Sequence, residues 1–539
     1  MNLVVGSGPS GVAAALALLE RGQPVTMVDV GRALEPSFAA APRELAALRY
    51  EEWPAATRAR LAAITGPTIN GFPMKTSFGS DFAWRGAPEL MPVETRGAEV
   101  LTSFARGGLS NIWGSNVLPF CAQDLEGWPI GPADLEPGYR AVLAHIPLSA
   151  ARDEELERLL PLHTARLEPR WLSPQAATML GDLRERREAL RARGVDFGAS
   201  RLGLRTGPAA ADPGCVRCGL CLHGCPYDLI YSSAHTLAAL ERDPRFRYAG
   251  GHFATRFRET ASGVELEVLR AADRAPARFA GTRLFLGGGC FSTTRLVLES
   301  LEWFAREVTV LESQYFLIPL LHWRRFPVAD QRLQTLSQLC LRLRDPEVTP
   351  RDVHLLLYTY SPLYRAALDA TPLRWAPPLR RAALERLLAL QGYLHSDVSP
   401  RLAVSLRRNA AGPPTLVVEG RARPGTAATV RRVEARVRSL SPLLRASPIP
   451  FATRLGPPGK SFHSGGSFPM RRDPGPGDAD ALGRPAGLAR VHLVDASAFP
   501  TIPATNLTLS VMANAYRIAV ASCALEPHAG GPDRARAPA

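Results

Sequence analysis

The sequence predicts an α/β fold: a Rossmann-type nucleotide-binding domain, a second domain of sheet and helices, and a cysteine-rich insertion. Three observations carry this prediction. A glycine-rich turn between a strand and a helix opens the chain, and a strand followed by Asp495-Ala496-Ser497 lies near its end. Between them, four of the eight cysteines fall within the eleven residues from Cys215 to Cys225. With 539 residues, the chain is long enough for roughly three or four domains.

The first element is the opening strand–turn–helix–strand unit. A short apolar strand runs into the turn Gly6-Ser-Gly8-Pro-Ser10-Gly11, an alanine- and leucine-rich helix follows, and a second strand ends at Asp29. In such a unit Gly6 allows the tight turn, Gly8 lets a pyrophosphate approach the backbone, and Gly11 lets helix and strand pack closely. Asp29, eighteen residues after Gly11, is placed to bind ribose hydroxyls. The unit predicts a dinucleotide site and leaves FAD and NAD both open.

The second element lies near the C-terminus. A strand, Val491–Val494, runs into Asp495, and a proline-rich turn leads to Asn506 and a helix from about Leu507. Upstream, His463 stands beside two glycines. Two further glycine-rich elements separate the ends: "ARGGLSNIWGSN" at 105–116 and "RLFLGGGCFSTTRLVLES" at 283–300.

In their order and separation, these four elements resemble the glucose–methanol–choline (GMC) family of FAD-dependent alcohol oxidoreductases, with the architecture of cholesterol oxidase. The resemblance is weakest over about residues 305–450. It implies that His463 takes the proton of a substrate hydroxyl and that Asn506 orients the reacting C–H bond. It also implies that FAD is bound by the following residues: Gly6, Gly8, Ser10, Gly11, Asp29, Gly107, Gly108, Ser110, Asn111, Trp113, Asp495, Ala496, Asn506 and Thr508.

The third observation is the cysteine run, Cys215-x₂-Cys218-x₂-Cys221-x₃-Cys225-Pro226. Its spacing is that of bacterial ferredoxins, whereas zinc sites with four cysteines usually come as two separated pairs. The run therefore predicts an iron–sulfur cluster, with zinc and no metal as alternatives. In two-cluster ferredoxins the fourth cysteine binds the other cluster, and here there is one run only. The other cysteines, Cys121, Cys290, Cys340 and Cys523, are scattered and are expected to be small buried side chains.

The family resemblance bears on the type of cluster. Bacterial FAD-dependent glucose and fructose dehydrogenases, which this chain resembles in length and in the place of the insertion, carry a three-iron cluster on C-x₅-C-x₃-C. Cys215, Cys221 and Cys225 reproduce that spacing, and Cys218 is additional. A 4Fe-4S cluster is favoured, and 3Fe-4S is the alternative.

Such a cluster predicts the class of reaction. A flavin accepts two electrons together, and an adjacent cluster passes them on singly. We therefore expect a dehydrogenase that oxidises a CH–OH group of a sugar, polyol or other alcohol and reduces a redox protein or a quinone. Two alternatives stay open: an oxidase or isomerase of a sterol or lipid alcohol that uses oxygen, and an electron-transfer flavoprotein with a vestigial alcohol site.

Composition limits the partners and the location. The chain is 46% hydrophobic and 21% charged, as in soluble globular proteins. Its net charge is +14, and arginine carries almost all of the positive charge. This excess of arginine reflects either codon usage or binding to an acidic partner or membrane surface. Long basic blocks are absent, so nucleic-acid binding is not predicted. No signal peptide or membrane span is visible, so a cytoplasmic, reducing location is expected, where clustered cysteines more often bind metal than form disulfides.

The order of the elements predicts a discontinuous domain organisation. The FAD-binding domain is assigned to 1–35, 95–118, 232–304 and 455–525, the substrate-binding region to 119–204 and 305–454, the cluster segment to 205–231, and a disordered tail to 526–539.

Four assignments outside the main elements complete the expectations. Pro42–Pro92 is expected to cover the nucleotide site. The basic, amphipathic segment Thr371–Leu394 is either a membrane or partner contact or an ordinary core-facing helix. His492 is expected to be structural, and Tyr393 and His395 to be candidate pocket residues.

Overall fold

The computed structural model describes residues 1–64, 66, 68, 69, 72–207, 214–327 and 332–524. The strands are β1 (Asn2–Val5), β2 (Val25–Val28), β3 (Thr68–Ile69), β4 (Phe72–Pro73), β5 (Val93–Arg96), β6 (Leu148–Ser149), β7 (Val195–Ala199), β8 (Leu202–Gly203), β9 (Phe246–Ala249), β10 (His252–Glu259), β11 (Val264–Arg270), β12 (Pro276–Gly281), β13 (Arg283–Leu286), β14 (Val308–Glu312), β15 (Tyr315–His322), β16 (Leu339–Leu343), β17 (Val353–Tyr358), β18 (Leu387–Tyr393), β19 (Arg401–Arg407), β20 (Thr415–Arg421), β21 (Ala446–Pro448), β22 (Arg454–Leu455), β23 (Ser464–Gly465) and β24 (Val491–Leu493).

The α-helices are α1 (Pro9–Glu20), α2 (Pro36–Ala46), α3 (Ala55–Ala62), α4 (Ala87–Leu90), α5 (Pro132–Leu143), α6 (Glu154–Glu157), α7 (Pro174–Glu185), α8 (Arg187–Arg191), α9 (Ser233–Leu240), α10 (Cys290–Ser300), α11 (Pro362–Asp369), α12 (Pro377–Leu384), α13 (Thr426–Ser439), α14 (Ser441–Leu444) and α15 (Thr508–Cys523). Short 3₁₀ helices cover Tyr50–Glu52, Gly108–Asn111, Ala122–Leu125, Pro372–Trp375, Ser396–Val398 and Ala496–Ala498.

A parallel five-stranded sheet, in the order β24-β13-β1-β2-β9, forms the Rossmann-type half of the molecule. Its strands come from both ends of the sequence, because β24 pairs with β13 and not with a neighbour along the chain. Helix α1 packs between this sheet and α15. The α/β fold is thereby confirmed, and the carboxyl ends of the parallel strands are collected at one edge, where ligands of such sheets bind.

Two further sheets make up most of the second half. A five-stranded sheet has the order β23-β14-β19-β20-β5, and a larger sheet has the order β21-β15-β18-β17-β16-β7, with β22 also paired to β15. The larger sheet carries its own apolar core against α7 and α13. The strands within residues 305–454 thus divide between two sheets.

The segment Thr371–Leu394 is not one helix. It consists of a 3₁₀ turn, the short helix α12 and strand β18, which lies between β15 and β17 inside the larger sheet. Leucines of β18 are buried there, while Trp375 and Leu379 are 77% and 63% exposed. These leucines therefore belong to a central strand. Of the large apolar side chains in the segment, Trp375 and Leu379 remain exposed for the expected membrane or partner contact.

Pro42–Pro92 was expected over the nucleotide site, but residues 45–61 pack against the cysteine run instead. Leu45, Trp53 and Leu61 pack with Leu220 of the cysteine run. The indole of Trp53 donates to the carbonyl of Leu45 (2.8 Å) and stacks on Tyr227, with ring centroids 5.6 Å apart. Because these apolar side chains lie beside the cysteines, the segment covers the cysteine run.

Two further findings concern the chain as a whole. None of the helices within the described residues is long and apolar enough to cross a bilayer. The predicted tail, 526–539, lies outside the described residues.

Candidate active site

A cavity of about 240 Å³ opens at the carboxyl ends of the parallel strands. The turn after β1, residues 6–10, forms one wall, and the turn after β13, residues 287–289, forms another. Asp29 after β2 and Asp495 after β24 complete this edge. Segments that are far apart in sequence therefore build one site.

Two glycines of the first turn have different surroundings. A Cβ added to Gly8 would meet no atom within 4 Å, so its face is open to the cavity. A Cβ on Gly11 would lie 1.9 Å from the carbonyl oxygen of Gly6, so Gly11 permits the close packing of helix on strand. Gly108 approaches from the opposite side, where a Cβ would be 3.3 Å from the Cα of Gly8. This open cradle at the start of α1 fits the pyrophosphate of a dinucleotide.

Asp29 is held by two hydroxyl groups. The Ser7 hydroxyl and the Tyr248 hydroxyl (3.1 Å) both donate to Oδ2 of Asp29. Burial raises the pKa of Asp29 to about 6, and these hydrogen bonds act in the opposite direction. The carboxyl thus lines the cavity in a fixed orientation, at the position from which an acid binds ribose hydroxyls.

Asp495 connects the last strand to the turn after β13. Its Oδ2 accepts hydrogen bonds from the Gly289 backbone (2.8 Å) and the Thr293 hydroxyl (2.5 Å), and its Oδ1 accepts one from Ser497 N (2.9 Å). Burial raises the pKa of its carboxyl. The carboxylate therefore fixes the two loops relative to each other at the cavity wall.

The predicted cofactor residues separate into two groups. Those that line the cavity are Gly6, Gly8, Ser10, Asp29, Gly108, Asp495, Ala496 and Thr508. Those that do not line it are Gly11, Gly107, Ser110, Asn111, Trp113 and Asn506. In the loop after Gly107, Ser110 donates to the carbonyl of Gly107 (2.5 Å) and Asn111 donates to that of Gly108 (2.7 Å).

His463 lies between Phe462 and Ser464, which both line the cavity. Its imidazole stacks on Tyr393, with ring centroids 4.7 Å apart and planes inclined by 25°. Its Nδ1 is buried and has no hydrogen-bond partner among the described residues. Burial lowers the pKa of His463 to about 4, so the ring is neutral at physiological pH. A neutral imidazole with an unpartnered nitrogen, next to residues that line a cavity, has the chemistry of a proton acceptor.

Asn506 immediately precedes Leu507 and Thr508, which line the same cavity. Its Oδ1 lies 3.1 Å from Nε2 of His354 on β17. The ring of His354 in turn lies 6.5 Å from that of Tyr393. The structure thus brings His463 and Asn506 to one place, linked through His354 and Tyr393.

A buried group of ionic side chains lies next to the turn that carries Asn506. Arg342, 1% exposed, contacts Asp124 at 3.1 Å and also Asp352. Thr505, next to Asn506, donates to Asp124 Oδ2 at 3.0 Å. The turn that carries Asn506 is therefore anchored to β16, on which Arg342 lies.

All four cysteines of the run line one small cavity, together with apolar residues such as Leu204 and Leu229. Burial raises the pKa of the Cys215 thiol to about 11 and that of the Cys225 thiol to about 12. Within the ranges that the structure describes, no group of three or more His, Cys, Asp or Glu side chains is arranged around a single metal ion. The thiols thus share a cavity without converging on one point, and the predicted metal site is not shown.

Two cations accompany these thiols. Lys75 donates to the carbonyl of Trp113 (3.0 Å). Burial lowers the pKa of Lys75 to about 8, and the charges of Cys221 and Cys225 oppose this shift. Arg170, which donates to the carbonyls of Ser200 and Ser337 (both 2.7 Å), interacts with the charges of Cys215 and Cys221. The thiols therefore lie in a positively charged environment.

Comparison with known proteins bears on this site. Residues 407–515, which include His463 and Asn506, match the GMC oxidoreductase family model. No curated protein sequence is significantly similar to the chain.

Solved structures share the fold of this protein over 96% of its chain. A pyridoxine 4-oxidase from Mesorbium loti is 16% identical, covered over 98% of its own chain, with a TM-score of 0.58. An FAD-dependent oxidoreductase from Chaetomium thermophilum is 13% identical, also covered over 98%, with a TM-score of 0.58. A formate oxidase from Aspergillus oryzae is 14% identical, covered over 97%, with a TM-score of 0.57. The GMC fold is thereby confirmed. The predicted resemblance to the branch of glucose and fructose dehydrogenases is not confirmed.

Sequence patterns did not indicate His354, Tyr248 and Lys75 as site residues. A single histidine or tyrosine on a strand carries no local signal, because its partner comes from another part of the chain. Lys75 had a weak signal, since the chain contains only two lysines. Tyr393 was a candidate and lies against His463, whereas His395 accepts a hydrogen bond from Asp397 N (3.0 Å) at a 3₁₀ turn. His492 lies buried on β24 beside the carbonyl of Leu482, as a structural residue would.

Proposed function

We propose that the protein is an FAD-dependent dehydrogenase that oxidises a CH–OH group of a small alcohol and passes the electrons on through an iron–sulfur cluster. The observation that carries the first part is the placement of His463 and Asn506 beside the cavity. His463 offers a neutral imidazole with an unpartnered Nδ1, and Asn506 offers an amide. Both belong to the segment that matches the GMC family.

The residues of the cavity fit FAD. The open face of Gly8 and the N-terminus of α1 would hold the pyrophosphate, and Asp29 would hold a ribose. When bound, FAD supplies the acceptor for a hydride from the alcohol carbon. His463 would accept the hydroxyl proton, and the Asn506 amide would hold the oxygen and orient the C–H bond. The neutral state of His463 suits this role, because burial keeps the pKa of its imidazole low.

Three observations support a cluster on Cys215, Cys218, Cys221 and Cys225. The four thiols line a single cavity, and their spacing is that of ferredoxins. Lys75 and Arg170 would offset the negative charge of a thiolate-bound cluster. The acceptor beyond it would be a redox protein or a quinone.

The alternative is an oxidase of the same fold that transfers electrons from the flavin to oxygen. The observation that favours it is that two of the similar structures are named as oxidases, of pyridoxine and of formate. Both names concern small molecules, so the size of the substrate does not separate the two proposals. The presence of an iron–sulfur cluster separates them, because an oxidase that passes electrons directly to oxygen does not need one.

One experiment tests both parts. Protein purified without oxygen is analysed for FAD, iron, zinc and acid-labile sulfide, and its EPR spectrum is recorded before and after dithionite. We expect about four irons and four sulfides per FAD, with a signal that appears on reduction. A panel of sugars, polyols and aromatic alcohols is then tested for anaerobic bleaching of the flavin, with His463→Ala as the variant that keeps FAD but is not reduced.

The possible outcomes separate the proposals. Zinc or no metal, with peroxide formed in air, would reject the cluster and leave the oxidase. Bleaching of the His463→Ala flavin at the parental rate would reject the catalytic role of His463. A flavin that no alcohol bleaches would reject the alcohol site and favour an electron-transfer flavoprotein.

A further inference from the structure

We propose that His354 is a positioning residue, which fixes the Asn506 amide so that its Nδ2 donates to the substrate oxygen. This inference rests on the proposed function. The contact that carries it is the 3.1 Å distance between His354 Nε2 and Asn506 Oδ1. Both side chains are buried, with 1% and 8% of their surfaces exposed.

Strand β17 holds His354 rigidly. It is a central strand of the larger sheet, paired on one side with β16 and on the other with β18. Residue 354 lies opposite Arg342 on β16 and opposite Tyr393 on β18. The imidazole therefore starts from a fixed backbone position between the buried arginine and the tyrosine that stacks on His463.

The neighbours of His354 determine which of its nitrogens carries the proton. Cys340 Sγ lies 3.9 Å from Nδ1, and burial raises the pKa of that thiol to about 12, so it remains an S–H donor. We infer the tautomer in which this S–H donates to Nδ1 and the neutral ring carries its hydrogen on Nε2. Burial and the charge of Arg342 lower the pKa of His354 to about 3, which keeps the ring neutral.

A hydrogen on Nε2 sets the orientation of the amide. Nε2–H can donate only to the carbonyl oxygen of Asn506, so the NH₂ group points away from His354. In the described part of the chain, this Nδ2 makes no hydrogen bond to another residue. It is thus available to an alcohol oxygen, which becomes more negative as its proton leaves and is stabilised by a preorganised donor. A reversed amide would present its carbonyl oxygen to that charge instead.

The test uses the FAD-loaded enzyme and five variants. His354→Leu removes the donor, whereas His354→Gln retains an N–H of similar reach. Asn506→Ala and the double variant H354L/N506A complete a double-mutant cycle. His322→Leu is the matched control, because His322 is equally buried in the same sheet, at the end of β15 away from Tyr315. Flavin reduction by an alcohol found in the screen is followed by anaerobic stopped flow, which separates the dissociation constant from the rate constant.

We expect His354→Leu to reduce the rate constant of flavin reduction by about 10- to 100-fold and to change the dissociation constant of the alcohol by less than about threefold. His354→Gln should stay within about fivefold of the parental rate constant. In the Asn506→Ala background, His354→Leu should have little further effect, because the two side chains act as one unit. Fully additive losses, or an equal loss in His322→Leu with FAD content unchanged, would overturn the proposal.

A second measurement needs no substrate. Crystal structures of the His354→Leu and His354→Gln proteins at about 1.2 Å resolution distinguish the amide oxygen from the nitrogen. The Asn506 amide should turn or become mixed in the leucine variant and keep its orientation in the glutamine variant. An unchanged amide in the leucine variant would refute the role of His354. Failure of every alcohol to reduce the parental flavin would instead refute the proposed function.

Discussion

The ring of Tyr393 lies against the imidazole of His463, with centroids 4.7 Å apart and planes inclined by 25°. Tyr393 ends strand β18 of the larger sheet, whereas His463 precedes β23 of the five-stranded sheet. The contact therefore joins two sheets at the point where the proposed proton acceptor lies. Because Nδ1 of His463 has no partner in the described residues, we expect this stack to orient its imidazole.

Removal of the stacked ring should lower activity without loss of the cofactor. We expect Tyr393→Ala to reduce the rate constant of flavin reduction by about 10- to 100-fold, because the imidazole loses its fixed position. Tyr393→Phe keeps the ring and should stay close to the parental enzyme. Anaerobic stopped flow gives the rate constants and absorbance gives the FAD content. Equal losses in both variants would mean that the hydroxyl, and not the stack, matters.

The pH dependence of flavin reduction should reflect a histidine with a depressed pKa. Protonation abolishes the base, and burial lowers the pKa of His463 from its usual 6.5 to about 4. The rate constant should therefore be constant from about pH 8 down to about pH 5.5 and fall to half near pH 4. A stopped-flow profile with a midpoint near 6.5 would show instead that the base is solvated or is another group.

Two glycines of the first turn should respond differently to the same substitution. Gly8→Ala should fold normally and bind FAD roughly tenfold or more weakly, because the added methyl group occupies open cavity space. Gly11→Ala should lose about 1–3 kcal/mol or more of stability, because its Cβ would overlap the backbone of Gly6. Urea unfolding of the apoprotein and titration with FAD measure the two effects. Equal stability of both variants would contradict the assignment of Gly11 to packing.

Lys75 should set the reduction potential of a bound cluster. A nearby cation stabilises the more negative, reduced form, so Lys75→Met should lower the potential. The expected shift is on the order of 50–100 mV, from a Coulomb energy of about 1–2 kcal/mol for a partly buried pair. Lys75→Arg keeps the charge and is the matched control. EPR-monitored redox titration measures the potentials, and identical values for the Met and Arg variants would exclude an electrostatic role.

Trp53 should protect the cysteine run from oxygen. It is 6% exposed and stacks on Tyr227, so Trp53→Ala should speed the loss of cluster absorbance in air several-fold. Trp375→Ala is the control, because Trp375 is 77% exposed on the short turn before α12. The decay of visible absorbance at fixed oxygen concentration gives the rates. Equal decay in the two variants would mean that Trp53 does not cover the cluster.

Features that depend on a few consecutive residues could be predicted from the sequence. The turn from Gly6 to Gly11 works through local backbone geometry, and the two glycines with distinct surroundings are those to which distinct roles were assigned. The cysteine run places four thiols on one short loop, so a shared cavity follows from the spacing alone. Asp495, at the end of a parallel strand, reaches the cavity for the same reason, because such strands end at one edge.

Features that depend on distant partners could not be predicted in this way. The leucines of residues 387–390 have the pattern of a helix face, yet the pairing of β18 with β15 and β17 makes them a strand. The composition of residues 42–62 does not indicate which site they cover. The contact between Trp53 and Tyr227 places them beside the cysteines.

By itself, the sequence determined the class of fold, the nucleotide-binding turn, the cysteine loop and the identity of the two candidate catalytic residues. Each of these is encoded within a short stretch, where local geometry limits the chain to few conformations. Only the tertiary structure showed that Tyr393 stacks on His463, that His354 contacts Asn506, and that Lys75 interacts with the charges of Cys221 and Cys225. Those relationships join residues tens to hundreds of positions apart, and they arise from sheet pairing and core packing, which no single segment specifies.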